Sequence, residues 1–167
     1  MTKKPYSTIV VGTDGSSLAP TTIASAAHVA VAEDADLVIV CAYSSLPRRT
    51  DAMNQATLGG EVTFDQVPGV EAATLALDEA VAQAEKAGAR VKAAELIDGP
   101  AAASLLHSIE THEADLLVMG AIRDRSIAGR LLGTVAQELA GKAPCDVLII
   151  RPLPDTPEPS RPEDVTL

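Results

Sequence analysis

Between Tyr6 and Arg151 the chain alternates short apolar runs with longer stretches whose apolar residues recur at helical spacing. The runs are residues 8–11, 37–43, 90–97, 115–119 and 146–150. Four are apolar at nearly every position, which predicts strands covered on both faces. Residues 90–97 are more polar and predict an edge strand. Between the runs, Ile23, Ala27, Ala30 and Val31 make one helical stripe, and Val70, Thr74, Leu77, Val81 and Ala84 make a second that ends at Gly88. Ala102, Leu105, Leu106 and Ile109 form a third after Gly99-Pro100, with proline at a first-turn position that tolerates it. Leu132, Val135 and Leu139 form the last. Strand and helix thus alternate four times before a closing fifth strand. That order implies a single-domain α/β fold with an open parallel sheet and helices on both faces, over residues 1–151.

Two segments break the rhythm. Residues 44–68 carry Pro47, two arginines and Gly59-Gly60 with little periodicity, and read as a long mobile connection. Residues 152–167 hold five prolines, four acids and one arginine, and read as a disordered acidic tail. No internal repeat is evident.

Composition narrows the function. Apolar residues make up 47% of the 167, enough for a substantial core, but aromatics only 2%, so the core is aliphatic. The net charge of −10 argues against a nucleic-acid surface, which needs clustered cations, and against docking on anionic membranes. No apolar run approaches a bilayer span, and the run 9–11 is too short for a signal peptide. Cys41 and Cys145 both sit in apolar runs, so no disulfide framework is expected and the default location is cytoplasmic. Cys41 reads as an inert buried thiol, Cys145 as a thiol with no visible base beside it. His28, His107 and His112 have no metal-ligand spacing and read as structural or surface histidines.

Two constellations can carry chemistry. Gly12-Thr13-Asp14-Gly15-Ser16-Ser17 directly follows the first strand. In open α/β sheets ligands bind beyond the carboxyl ends of strands, and Asp14 lies at such an end. Ser16 or Ser17 is placed to cap the next helix. An ordinary β-to-α turn explains this segment about as well. The second runs from Met119-Gly120 to Gly133-Thr134-Val135 and includes Arg123, Arg125 and Arg130. Thr134 and Gln137 have capping-box spacing, and a helix start offers free amides to a phosphate. A capped helix alone accounts for Thr134 but not for the Gly-rich, Arg-bearing segment before it. Neither constellation is a dinucleotide fingerprint or a P-loop. Ser16, Asp14 and a distant histidine do not make a hydrolase, because no Gly-x-Ser-x-Gly supports them.

Together with residues 114–120 and 143–151, these pieces resemble the universal stress protein family in order and spacing, over roughly residues 6–151. The resemblance implies a Rossmann-like five-stranded parallel sheet of order 3-2-1-4-5. The family's ATP-binding branch carries Gly-x2-Gly-x9-Gly-Ser/Thr. Here Gly120 and Gly133-Thr134 hold the outer positions, while Arg123 replaces the middle glycine. By resemblance, Gly120, Gly133, Thr134 and Val135 would meet ribose and phosphates, Gly12, Thr13, Asp14 and Ala42 would frame the nucleoside, and Met119 would join the nucleotide-binding residues. The arginine would partly replace the lost backbone contacts. The resemblance thus implies a stress-response protein that binds an adenine nucleotide, ATP with Mg²⁺ or cyclic AMP, as a homodimer through Asp146–Ile150. Binding rather than turnover is the expected role, with hydrolysis slow at most. The competing reading is an interaction protein that signals through its dimer surface without nucleotide.

Overall fold

The computed structural model describes residues 5–45, 66–121 and 133–152. Its elements run β1 (Thr8–Thr13), α1 (Ala19–Glu33), β2 (Asp36–Ser44), β3 (Val67–Pro68), α2 (Val70–Lys86), β4 (Arg90–Asp98), α3 (Ala101–Thr111), β5 (Leu116–Gly120), α4 (Thr134–Lys142) and β6 (Asp146–Ile150). The five long strands stand in the order β4-β2-β1-β5-β6, every pair parallel. Counted along the chain, this is the 3-2-1-4-5 order that the resemblance implies. The sixth strand, β3, pairs with β2 and falls inside the stretch read as a long connection. Two residues, one a proline, leave no apolar run to recognise. Residues 46–65 of that stretch, the Arg-bearing segment after Ala121 and the tail beyond Pro152 lie outside the described residues.

Alternation along the central strands builds two cores. Ile9, Val11, Leu37, Ile39, Leu116 and Val118 face α1 and α2, whereas Val10, Val38, Val40, Leu117 and Met119 face α3 and α4. Covering on both faces is why these strands read as unbroken apolar runs. Each fully buried Val, Leu or Ile contributes about 1.5–3 kcal/mol, so the aliphatic sheet centre holds the fold together.

The helical stripes need two corrections. In α2 the buried positions are Ala73, Leu77, Ala80 and Ala84, while Val70 is 49% exposed. Small alanines let α2 lie close to the sheet and to α1, and that advantage outweighs the larger residues' hydrophobicity. In α1 the stripe of Ile23, Ala27 and Ala30 is buried, but Val31 is exposed. The third stripe holds at Ala102, Leu105 and Ile109, with Leu106 half-buried. In α4 Leu139 is buried and Val135 half-buried, and Leu132 lies outside the described residues.

Among the described residues, edge strand β4 pairs only with β2, and it carries a bulge, because Leu37 pairs with Val91 and Val38 with Ala93. The extra residue, Lys92, shifts the alternation so that Glu95 turns towards α3. There its Oε1 lies 2.7 Å from Nε2 of His112, at the end of α3. Burial pushes the Glu95 carboxyl up, but the His112 hydrogen bond and the nearby histidine charges prevail and hold it below its ordinary value. At the amino end of the sheet, Asp115 accepts from the Ser7 N–H at 3.0 Å, the Ser7 hydroxyl at 2.8 Å and the Thr8 N–H at 3.1 Å. Those bonds tie the start of β1 to the start of β5.

Candidate functional site

The connections through α1 and α2 cover one face of the sheet, and those through α3 and α4 the other. The chain therefore leaves β1 and β5 in opposite directions. The two strands are neighbours, with Ile9 paired to Leu116 and Val11 to Val118. Between their carboxyl ends lies the crevice at which open α/β sheets take ligands. Helix α4 descends from this rim to the amino end of β6, so Gly133 and Asp14 lie at the same end of the sheet.

Asp14 follows β1 directly. Its Oδ1 accepts the Ser16 N–H at 2.9 Å, closing an Asx turn that Gly15 completes at φ 68°. The Ser16 carbonyl accepts the Ala19 N–H at 3.0 Å. The residue at the α1 cap is Leu18, and no side chain caps the helix, so neither Ser16 nor Ser17 performs the capping expected of it. Asp14 has taken over the turn.

Gly12 and Gly120 both mark close approach, but the approaching groups belong to the protein. A Cβ at Gly120 would lie 2.9 Å from Thr22 Oγ1 and 3.0 Å from Leu18 Cδ2, because the first turn of α1 packs on the end of β5. A Cβ at Gly12 would lie 3.3 Å from both methyl carbons of Leu105. Thr22, Leu18 and Leu105 are thus part of the rim's structure, and the sequence offers no local signal for them. Thr13, Ala42 and Met119 are buried at the same rim. Alternation puts Gly12, Ala42 and Met119 on the α3–α4 side and Thr13 and Gly120 on the α1 side.

Gly133 occupies the cap position of α4 with φ −59° and ψ 160°, and no side chain caps the helix. Thr134 is already the first helical residue and is exposed, so the Thr134–Gln137 capping box does not form. Instead the Gln137 N–H donates to the Gly133 carbonyl at 3.0 Å. The first-turn amides of α4 have no acceptor within the helix, and the positive end of its dipole faces the rim. Of the ten residues singled out by sequence, nine reach this rim. Arg123 lies outside the described residues.

The thiols and imidazoles belong elsewhere. Burial, then the charge of Asp14, pushes the Cys41 thiol up to about 12, which keeps it protonated and inert. Burial, then the charges of Asp146 and Asp115, raises Cys145 as well. His28 and His107 are exposed, and His112 is engaged with Glu95. Among the described residues no three His, Cys, Asp or Glu side chains converge to hold a metal, and no helix is long and apolar enough to cross a membrane.

Comparison with known proteins places these features. Residues 5–151 match the model of the universal stress protein family. The chain is 38% identical over 145 residues to universal stress protein Rv1636 of Mycobacterium tuberculosis strain H37Rv, covering 87% of this chain and 96% of that one. It superposes on the crystal structure of a universal stress protein in complex with cAMP with a TM-score of 0.65 and 32% identity, over 87% of this chain and 97% of the other. The Archaeoglobus fulgidus universal stress protein in complex with dAMP gives a TM-score of 0.61 at 21% identity, over 87% and 98% of the two chains. At that identity the likeness speaks for the fold alone.

Proposed function

Since this chain belongs to the universal stress protein family, we propose that it is a regulatory protein that binds an adenine nucleotide at the carboxyl rim of β1 and β5. The observation that carries this reading is that the Asp14 turn, the end of β5 and the start of α4 all lie at the carboxyl end of the sheet. The relative at 32% identity solved with cAMP supports the ligand class.

In this reading the first-turn amides of Thr134 and Val135 take the phosphate, and Asp14 accepts the ribose hydroxyls. Gly12, Thr13, Ala42, Met119 and Gly120 line the nucleoside. Helix starts suit phosphates because free N–H groups and the dipole act together. Arg123 adds a permanent cation whose planar fork matches phosphate oxygens. ATP is a candidate ligand beside cyclic AMP. Mg²⁺ is held by one or two carboxylates together with phosphate oxygens, a part that Asp14 would fit. The role is binding rather than turnover. Residues 1–151 form the binding domain, 152–167 an acidic tail, and β6 the dimer edge, in the cytoplasm.

The test is the melting temperature of ligand-stripped protein with cyclic AMP, AMP and ATP–Mg²⁺. A ligand at a hundred times its Kd stabilises by about 2.7 kcal/mol, roughly 5–10 °C for a domain of this size. Arg123→Ala should weaken ATP more than adenosine. No shift with any of these at millimolar concentration overturns the reading in favour of a nucleotide-independent interaction protein.

A further inference from the structure

β1 stops pairing with β2 at Thr13 and Cys41, but β2 runs on to Ser44. One edge of that projecting end is filled by β4, through the pair Tyr43–Asp98 and the Gly99 N–H, which donates to the Tyr43 carbonyl at 3.0 Å. The other edge, left by β1, is taken by β3. Tyr43 pairs with Val67 and Ser44 with Pro68, and the Gly69 N–H donates to the Ser44 carbonyl at 3.1 Å. Successive carbonyls of a strand point to opposite edges, so the bonds at Tyr43 and Ser44 fix β4 and β3 on opposite sides of β2. β3 therefore lies in line with β1, just beyond the point at which the chain turns away at Asp14.

Pro68 has no N–H to give, so this register directs the ladder through Val67, whose N–H faces the Ala42 carbonyl. The Val67 side chain is 5% exposed and packs in the α1–α2 core, which anchors the pair. Gly69, at φ 86°, then swings the chain into α2, and its carbonyl accepts the Ala73 N–H at 3.2 Å. Ala42, which the nucleotide reading places beside the nucleoside, thus has the β1 side of its edge already taken by the protein's own strand.

We propose that β3 is an intramolecular strap that competes with the base for the end of β2, so that nucleotide binding displaces Val67 and Pro68 from Ala42–Ser44. The proposal rests on the nucleotide reading above. A base seated along the edge of β2 at Ala42 and a strand paired to that edge would occupy the same space, and so exclude one another. At two residues, β3 is the shortest strand among the described residues, so few ladder bonds hold it to β2. Strap closure lowers the apparent affinity by the fraction of molecules in which the strap is open.

The experiment follows amide hydrogen exchange across residues 66–69 and 133–135 in the full chain, with and without saturating cyclic AMP, alongside calorimetric Kd values for wild type and Val67→Pro. The substitution removes the competing N–H. Exchange at Val67 and Gly69 should speed up when cyclic AMP is bound, while Thr134 and Val135 slow down. Val67→Pro should bind about tenfold more tightly. If cyclic AMP binds and the Val67 and Gly69 amides slow down or stay unchanged, the strap is overturned while the nucleotide reading stands. If neither protein binds, the nucleotide reading fails and the strap with it. The wild-type exchange pattern decides even if Val67→Pro does not fold.

Discussion

A methyl group at Gly120 would sit 2.9 Å from Thr22 Oγ1 and 3.0 Å from Leu18 Cδ2, closer than real Cβ contacts allow. Gly120→Ala should therefore lose about 1–3 kcal/mol of stability without any ligand, read as a lower urea midpoint. Thr22→Ala in the same protein should recover part of that loss, because the two sites touch. A Gly120→Ala protein as stable as wild type would free this glycine from α1 and leave only a ligand to explain it. The glycine was legible in the sequence as an outer position of the motif. What approaches it was not, because Thr22 is far away along the chain and only the packed fold brings it there. Asp14 was legible in the same partial way. Its position at the end of β1 came from pattern, but its bond to the Ser16 N–H displaced the serine cap that local chemistry suggested.

The elements themselves share one device. α1, α2 and α3 each end with a residue in the left-handed region, Asp34 at φ 54°, Gly88 at φ 89° and Glu113 at φ 50°. In each case the following alanine donates back into the helix, Ala35 to Ala30, Ala89 to Ala84 and Ala114 to Ile109, at 2.8–3.0 Å. Only Gly88 adopts this conformation without a side-chain cost. The Glu113 side chain is exposed, so burial does not offset the strain. Glu113→Gly should therefore stabilise the protein by about 0.5–1 kcal/mol, measured as a raised urea midpoint at unchanged m-value. A lowered midpoint would show that the unfolded chain's extra freedom outweighs the relieved strain. Gly88 announced the end of α2 in the sequence, whereas Asp34 and Glu113 gave no such sign. The long strands were plain because burial on both faces makes them continuously apolar. β3 was hidden because its pairing comes from the end of β2 rather than from its own residues.

For the molecule as a whole, two carboxylates connect distant elements, Asp115 joining β5 to β1 and Glu95 joining β4 to α3. Burial pushes Asp115 up, but the Ser7 hydroxyl and the Ser7 and Thr8 amides outweigh it and hold it below its ordinary 3.8. A carboxylate depressed in the folded state adds stability above its unfolded value, and loses it as pH falls through the folded one. The protein should therefore lose stability as pH falls below about 4, in melting curves between about pH 6 and pH 3. Asp115→Asn should be less stable at the upper end of that interval and lose less across it. Parallel loss in both proteins would remove Asp115 from the acid response.

The doubly wound topology was legible because element order and the parallel rule leave few alternatives. It also places Asp14, Gly120 and Gly133 at one end of the sheet. The most direct test of the nucleotide site is a calorimetric titration of ligand-stripped full-length protein with cyclic AMP, repeated on Asp14→Ala after its own melting curve shows that it folds. Saturable binding at one site per chain, weakened about tenfold or more by Asp14→Ala, is the predicted result. No binding at millimolar ligand, or binding that Asp14→Ala leaves unchanged, contradicts a nucleotide site at the β1–β5 rim.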